Sequence, residues 1–193
     1  YWLFGILFFV LIIHVLISVY QEYFSNFVDI HKTKTVLFFL TIMIVLFGVT
    51  WTAIVDRAKT APEYNVHDII LQQEAAMRYL VTGKNPYKEQ YFGTYVEKFH
   101  YTEIDNPDAV NPALYHFVMP PWYLLFPFVF YFTTPRLFGF FDGRMALLFG
   151  AAGLIVILYR FIRDKVWARL AIAFTLLSPA VFDYFLEGRS DIF

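Results

Sequence analysis

The sequence predicts an all-α, polytopic transmembrane protein with amphipathic interfacial helices in a long first external loop. Three observations carry this expectation. First, 59% of the 193 residues are hydrophobic, 24 are Phe, and only 16% are charged; a soluble domain has about a quarter charged residues. Second, four runs almost free of charge have the length of membrane helices. Third, those runs are interrupted by one long stretch of mixed polarity, residues 55–116. The net charge of −1 gives no bulk basic field for nucleic acid. There is no cysteine, so thiolate catalysis, disulfides and Cys-based metal sites are excluded.

The elements follow in order. Residues 1–20 carry no Asp, Glu, Lys or Arg and read as an N-terminal transmembrane helix. A secretory signal would need a basic start and a small-residue cleavage site. Residues 21–35 hold Lys32 and Lys34 and read as a cytoplasmic loop by the Lys/Arg bias of short connections. Residues 36–54 are a second charge-free run, which places 55–116 outside. Residues 117–132 are apolar but short, and contain Pro120, Pro121 and Pro127. Prolines suit a helix start and kink an interior, so a short re-entrant or interfacial segment is expected. Residues 144–160 form the next helix, with Arg144 and Arg160 snorkelling at its ends. The turn 160–169 holds Arg160, Arg163, Lys165 and Arg169 and belongs inside. Residues 166–182 then exit. The chain opens within an apolar run at Tyr1 and stops after a polar cluster at Phe193, so a fragment of a longer membrane protein is expected.

The external stretch has internal order. A helical pattern runs from Asn65-Val-His-Asp68 to Leu80 and stops at Thr82-Gly83, with Asn85-Pro86-Tyr87 as a turn. Ile69, Ile70, Ala76, Met77 and Leu80 share one stripe; Asp68, Gln72 and Tyr79 share another. This predicts an amphipathic helix along the membrane surface, with Glu74 pairing Arg78 at i,i+4. Asn65 and Asp68 have the spacing of a capping box. No metal-binding spacing links His67, His100 and His116. Tyr91-Phe-Gly-Thr94, Asp105-Asn-Pro-Asp108 and Asn111-Pro112 read as turns. Asp183, Glu187, Arg189 and Asp191 form a second polar cluster, with Arg189 pairing a carboxylate or joining the first loop in one site.

His67-Asp68, then Glu74-Ala-Ala, then Leu80-x-x-Gly83-Lys-Asn-Pro-Tyr87, resembles the first external loop of the GT-C superfamily of membrane glycosyltransferases, in its polyprenol-dependent, mannosyltransferase-like branch. Asn111-Pro-Ala-Leu-Tyr-His116 before Pro120-Pro-Trp-Tyr resembles that family's proline-led apolar segment. Ser178-Pro179 and Gly188-Arg-Ser-Asp191 resemble its second acidic loop. The likeness covers about residues 36–193, a partial GT-C-like domain, and leaves the 1–20 helix as an extra element.

The resemblance implies an inverting hexosyltransferase. It would take a sugar from a polyprenyl-phosphate carrier to a glycan, lipid or protein acceptor, on the non-cytoplasmic face of a cell membrane. Asp68 would be the catalytic base. His67, Glu74, Lys84, Arg189 and Asp191 would bind substrate, with Arg78 a further cation for the leaving phosphate. No organic cofactor is implied; Asp191 would help hold a divalent cation if one takes part. The partners are the lipid-linked donor, the acceptor and membrane lipids, with no nucleic acid. The alternative from the residues alone is a non-catalytic accessory subunit or a transporter fragment. A transporter would show internal repeats, broken helices or buried charges within spans; no internal repeat is visible and the spans are nearly charge-free.

Overall fold

The computed structural model describes residues 2–27, 29–101 and 109–189. Most of the described residues are helical, and there is no strand among them. Among the described residues three helices are long and apolar enough to cross a membrane: Trp2–Val19, Ile30–Lys59 and Arg144–Phe161. The pair Lys165–Leu176 and Pro179–Glu187, bent by 54° at its break, would supply a fourth as one broken span. The chain divides into two compact units, Tyr1–Thr52 with Ile155–Phe182, and Ala53–Leu154 with Asp183–Phe193.

In the first unit, α1 (Trp2–Val19) packs antiparallel to α3 (Ile30–Ile42) through Val10, Ile17, Ile30 and Leu37. Its other face exposes Trp2, Phe4, Phe8, Phe9 and Val15. The segment expected as a loop over 21–35 is mostly helical. A short helix α2 (Gln21–Phe24) precedes it, and Asp29 caps α3 by accepting from the Lys32 amide. The Asp29 carboxylate satisfies an amide at the helix start, which lets the helix begin before the apolar run. After α3 the same rod passes through a π-helical turn, Met43–Gly48, into α4 (Val49–Lys59). Gly48 admits Leu3, whose Cδ2 lies 3.4 Å from where a Cβ would stand. Small residues allow such close approach of two apolar helices. Asp164 caps α8 (Lys165–Leu176) by accepting from Val166 and Trp167. Pro179 then opens α9 (Pro179–Glu187), so the expected single helix over 166–182 breaks where proline interrupts the backbone ladder.

The second unit is built around α5 (Asp68–Val81). Its C-terminus is as expected: Thr82 is the cap and Gly83 has φ +78°. Tyr87 N–H donates to Asn85 Oδ1, closing the following turn. The surface-helix expectation is corrected. Asp68 and every residue from Ile70 to Met77 are buried. Val66, Ile70, Leu71, Ala75, Met77, Tyr91, Val96, Leu114 and Phe117 share one core. Polar residues of α5 are buried because the loops reach them. Gln72 Nε2 donates to the Ala113 and His116 carbonyls, and its Oε1 accepts from Val118 N–H. These long-range partners override the pattern of polarity that suggests an exposed face. The capping box is corrected too: His67, not Asn65, is the N-cap residue.

The proline-led segment forms α6 (Trp122–Phe138), 17 residues with Pro127 and Pro135 inside and Gly139 (φ +84°) ending it. Helix α7 (Arg144–Phe161) starts close to its expected position.

Candidate functional site

The site region of the second unit grows from four chain segments. The last turns of α4 carry Arg57, α5 carries His67, Asp68 and Glu74, the start of α7 carries Arg144 behind Asp142, and the end of α9 carries Glu187 before Arg189. Two polar clusters result.

The first is a buried ion quartet. Arg57 Nη1 and Nη2 donate to Glu74 Oε1 and Oε2, both at 2.8 Å, and Nη1 also donates to Asp142 Oδ2 at 2.8 Å. Its Nε donates to the Glu63 carbonyl. Arg144 donates to Asp142 through Nε (3.0 Å), Nη2 (2.8 Å) and its backbone N–H (2.9 Å), and to the Leu186 carbonyl through Nη1. Two guanidiniums and two carboxylates balance in charge. Each exposes 7% or less of its surface, so nearly all the solvation comes from the partners. Burial raises the Glu74 carboxyl above its ordinary value, against the pull of Arg57. Burial also works to raise Asp142, but Arg144 and Arg57 outweigh it and hold it low.

This quartet corrects two expectations. Glu74 pairs with Arg57 rather than with Arg78, which is exposed. Arg144 does not snorkel: it is 2% exposed and held on Asp142. Arg57 and Asp142 are the residues that sequence reasoning missed. An Arg in the last turns of an apolar helix and an Asp-Gly-Arg before another were the available signals.

The second cluster borders a cavity of about 580 Å³. Its wall includes Asp56, His67, Lys98, His100, Glu187 and Arg189. His67 Nδ1 lies 2.8 Å from Asp68 Oδ1, and Asn111 Nδ2 donates to Asp68 Oδ2 at 2.8 Å. The His67 backbone N–H donates to the Glu187 carbonyl, which ties α5 to the end of α9. Gly188 makes that approach feasible. It has φ +80°, and a Cβ there would stand 2.4 Å from Ile70 Cγ1. Burial raises the Asp68 carboxyl, but the hydrogen bonds from His67 and Asn111 prevail and hold it below the ordinary carboxylate value.

The expected site residues separate accordingly. His67 and Arg189 lie in the cavity wall, and Asp68 stands directly behind His67. Arg189 Nε is 2.6 Å from Glu187 Oε2, the carboxylate pairing expected of it. Glu74 belongs to the quartet. Lys84 lies elsewhere, beside Glu89 at 3.4 Å and over the Tyr79 ring. Asp191 falls outside the described residues, as do Asp105 and Asp108. His100 shares the wall with His67, while His116 is exposed and absent from it. Among the described residues no three His, Asp or Glu gather in a way that would hold a metal ion. Lys98 enters the site from a 3₁₀ turn, Tyr95–Lys98, and had no sequence signal. Comparison with protein-family models, curated proteins and solved structures finds no match to this chain.

Proposed function

We propose that the chain belongs to a multi-pass membrane glycosyltransferase of GT-C type, which moves a sugar from a polyprenyl phosphate to an acceptor hydroxyl with inversion. The observation that carries the reading is the His67–Asp68 pair beside a cavity that also presents Lys98 and Arg189. Its volume falls within the range of small-molecule sites, about 300–1,000 Å³.

A sugar hydroxyl is a weak nucleophile, so the pair takes its proton as the oxygen attacks the anomeric carbon. The new C–O bond forms from one face while the bond to phosphate breaks on the other, and its electron pair leaves with the phosphate. Lys98 and Arg189 stabilise the charge on that leaving group. Asp68 is the carboxylate on which the proton transfer depends. An apolar cleft of about 220 Å³, lined by Trp122, Tyr123, Phe126 and Pro127 of α6 and Ala146 of α7, suits part of an isoprenoid chain. The Lys/Arg bias of the sequence supports an extracytoplasmic position for the pair.

The test uses the full-length protein in membranes. Radiolabelled polyprenyl-phosphate sugars are supplied, and transfer to lipid, glycan and protein is followed for wild type and Asp68→Asn. Transfer by wild type, lowered by about 10²–10⁴ in a well-folded Asp68→Asn, is expected. Wild-type membranes that transfer sugar from none of the donors overturn the reading in favour of an accessory subunit or transporter.

A further inference from the structure

Asp68 has little of itself left to offer a substrate. One carboxylate oxygen faces His67 Nδ1 at 2.8 Å, and the other accepts from Asn111 at 2.8 Å. The described cavity wall includes His67 but not Asp68. The Ile69 amide also approaches His67 Nδ1, at 3.4 Å. Nδ1 cannot serve both neighbours, because accepting from the amide would point its lone pair at a carboxylate. The shorter, charge-assisted contact decides the proton: Nδ1 carries it and donates to Asp68. Nε2 then holds the lone pair, and no described residue takes it up. The ring is fixed further by Phe99, with centroids 5.6 Å apart, and by the backbone bond to Glu187.

We infer that His67 Nε2, rather than the Asp68 carboxylate, is the base that touches the acceptor hydroxyl, and that Asp68 is its positioning residue. This rests on the glycosyltransferase reading. The acceptor proton passes to Nε2 while the hydroxyl oxygen bonds the anomeric carbon and the phosphate departs with the bonding pair. The imidazolium so formed is neutralised by Asp68 and later releases the proton to water. The chemistry favours this division. An imidazole is matched to proton transfer near neutral pH, whereas a carboxylate held low by two donors is a poor base. Asp68 acts by fixing the tautomer and stabilising the cation, and Asn111 by fixing Asp68.

Two readouts test it. The first needs no activity: nitrogen NMR of histidine-labelled full-length protein in micelles, in alkaline buffer. Protonated Nδ1 and unprotonated Nε2 are expected for His67, with a shift towards the Nε2–H form in Asp68→Asn. An Nε2–H ring in wild type overturns the inference. The second is sugar transfer. His67→Ala should lose about 10²–10⁴ of the rate and recover part of it with added imidazole, while Asp68→Asn should gain nothing from imidazole. His67→Asn places an amide donor where Nδ1 stood, facing Asp68, and supplies no base; it should fold and fail. A His67→Asn protein that transfers as well as wild type overturns the assignment. Wild type that transfers nothing overturns the glycosyltransferase reading, and the base assignment with it, while the NMR still decides the tautomer.

Discussion

The buried quartet and the His67–Asp68 pair lie in the same unit, and they differ in how fully the protein uses their polar atoms. In the quartet both oxygens of Glu74 and of Asp142 accept from protein donors, and each guanidinium makes several bonds. The pair beside the cavity is tied on one side only: Asp68 is occupied, while the imidazole keeps a nitrogen for an outside partner. A saturated cluster stabilises a fold, and an unsaturated one facing a cavity can do chemistry. Glu74 therefore reads as scaffold, although its position after His67-Asp68 made it a candidate for substrate.

That contrast can be broken experimentally, and the largest effect should come from the quartet. Asp142→Ala strips Arg144 and Arg57 of a shared carboxylate and leaves buried positive charge. A loss of about 3–5 kcal/mol is expected, as for other broken buried pairs, read as a lower melting temperature in detergent. A melting temperature equal to wild type would mean the quartet carries little of the fold. Gly188→Ala comes next. The new methyl would collide with Ile70 and the residue would keep φ +80°, so about 1–3 kcal/mol should be lost. The end of α9 would also shift, so His67 and Arg144 should be disturbed together.

The smallest effect concerns acid. The Asp68 carboxyl lies below its ordinary value in the folded protein. Its contribution to stability is therefore present above the ordinary carboxylate range and lost as pH falls through the lowered folded value. Glu74, raised by burial, acts in the opposite sense. Melting temperature should fall on acidification more steeply in wild type than in Asp68→Asn. Parallel slopes would show that the pair contributes nothing to acid sensitivity.

Local signals in the sequence reached some of this. The C-terminal end of α5, the start of α7 and the turn after Asn85 were legible, because caps, turn residues and apolar runs act within a few positions. The quartet was not. Arg57 and Asp142 are 85 positions apart, and nothing in either neighbourhood encodes the other. Glu74 was assigned to Arg78 because i,i+4 is the only pairing that spacing can display. Arg144 looked like an interfacial cation for the same reason. The burial of α5 escaped notice because Gln72, Gln73 and Glu74 are polar; their partners come from loops and from helices far along the chain.

The tie between α5 and α9 bears on biogenesis. The Leu186 carbonyl takes a bond from Arg144, the Glu187 carbonyl takes one from His67, and Gly188 closes over Ile70. All three acceptor or closing residues are made after every other described part of the site except Arg189. A nascent chain halted before Leu186 would hold the quartet, His67, Asp68 and Lys98, yet lack the strap that draws them together. These ties thus form together, in one step, once the end of α9 has emerged and becomes free to fold back.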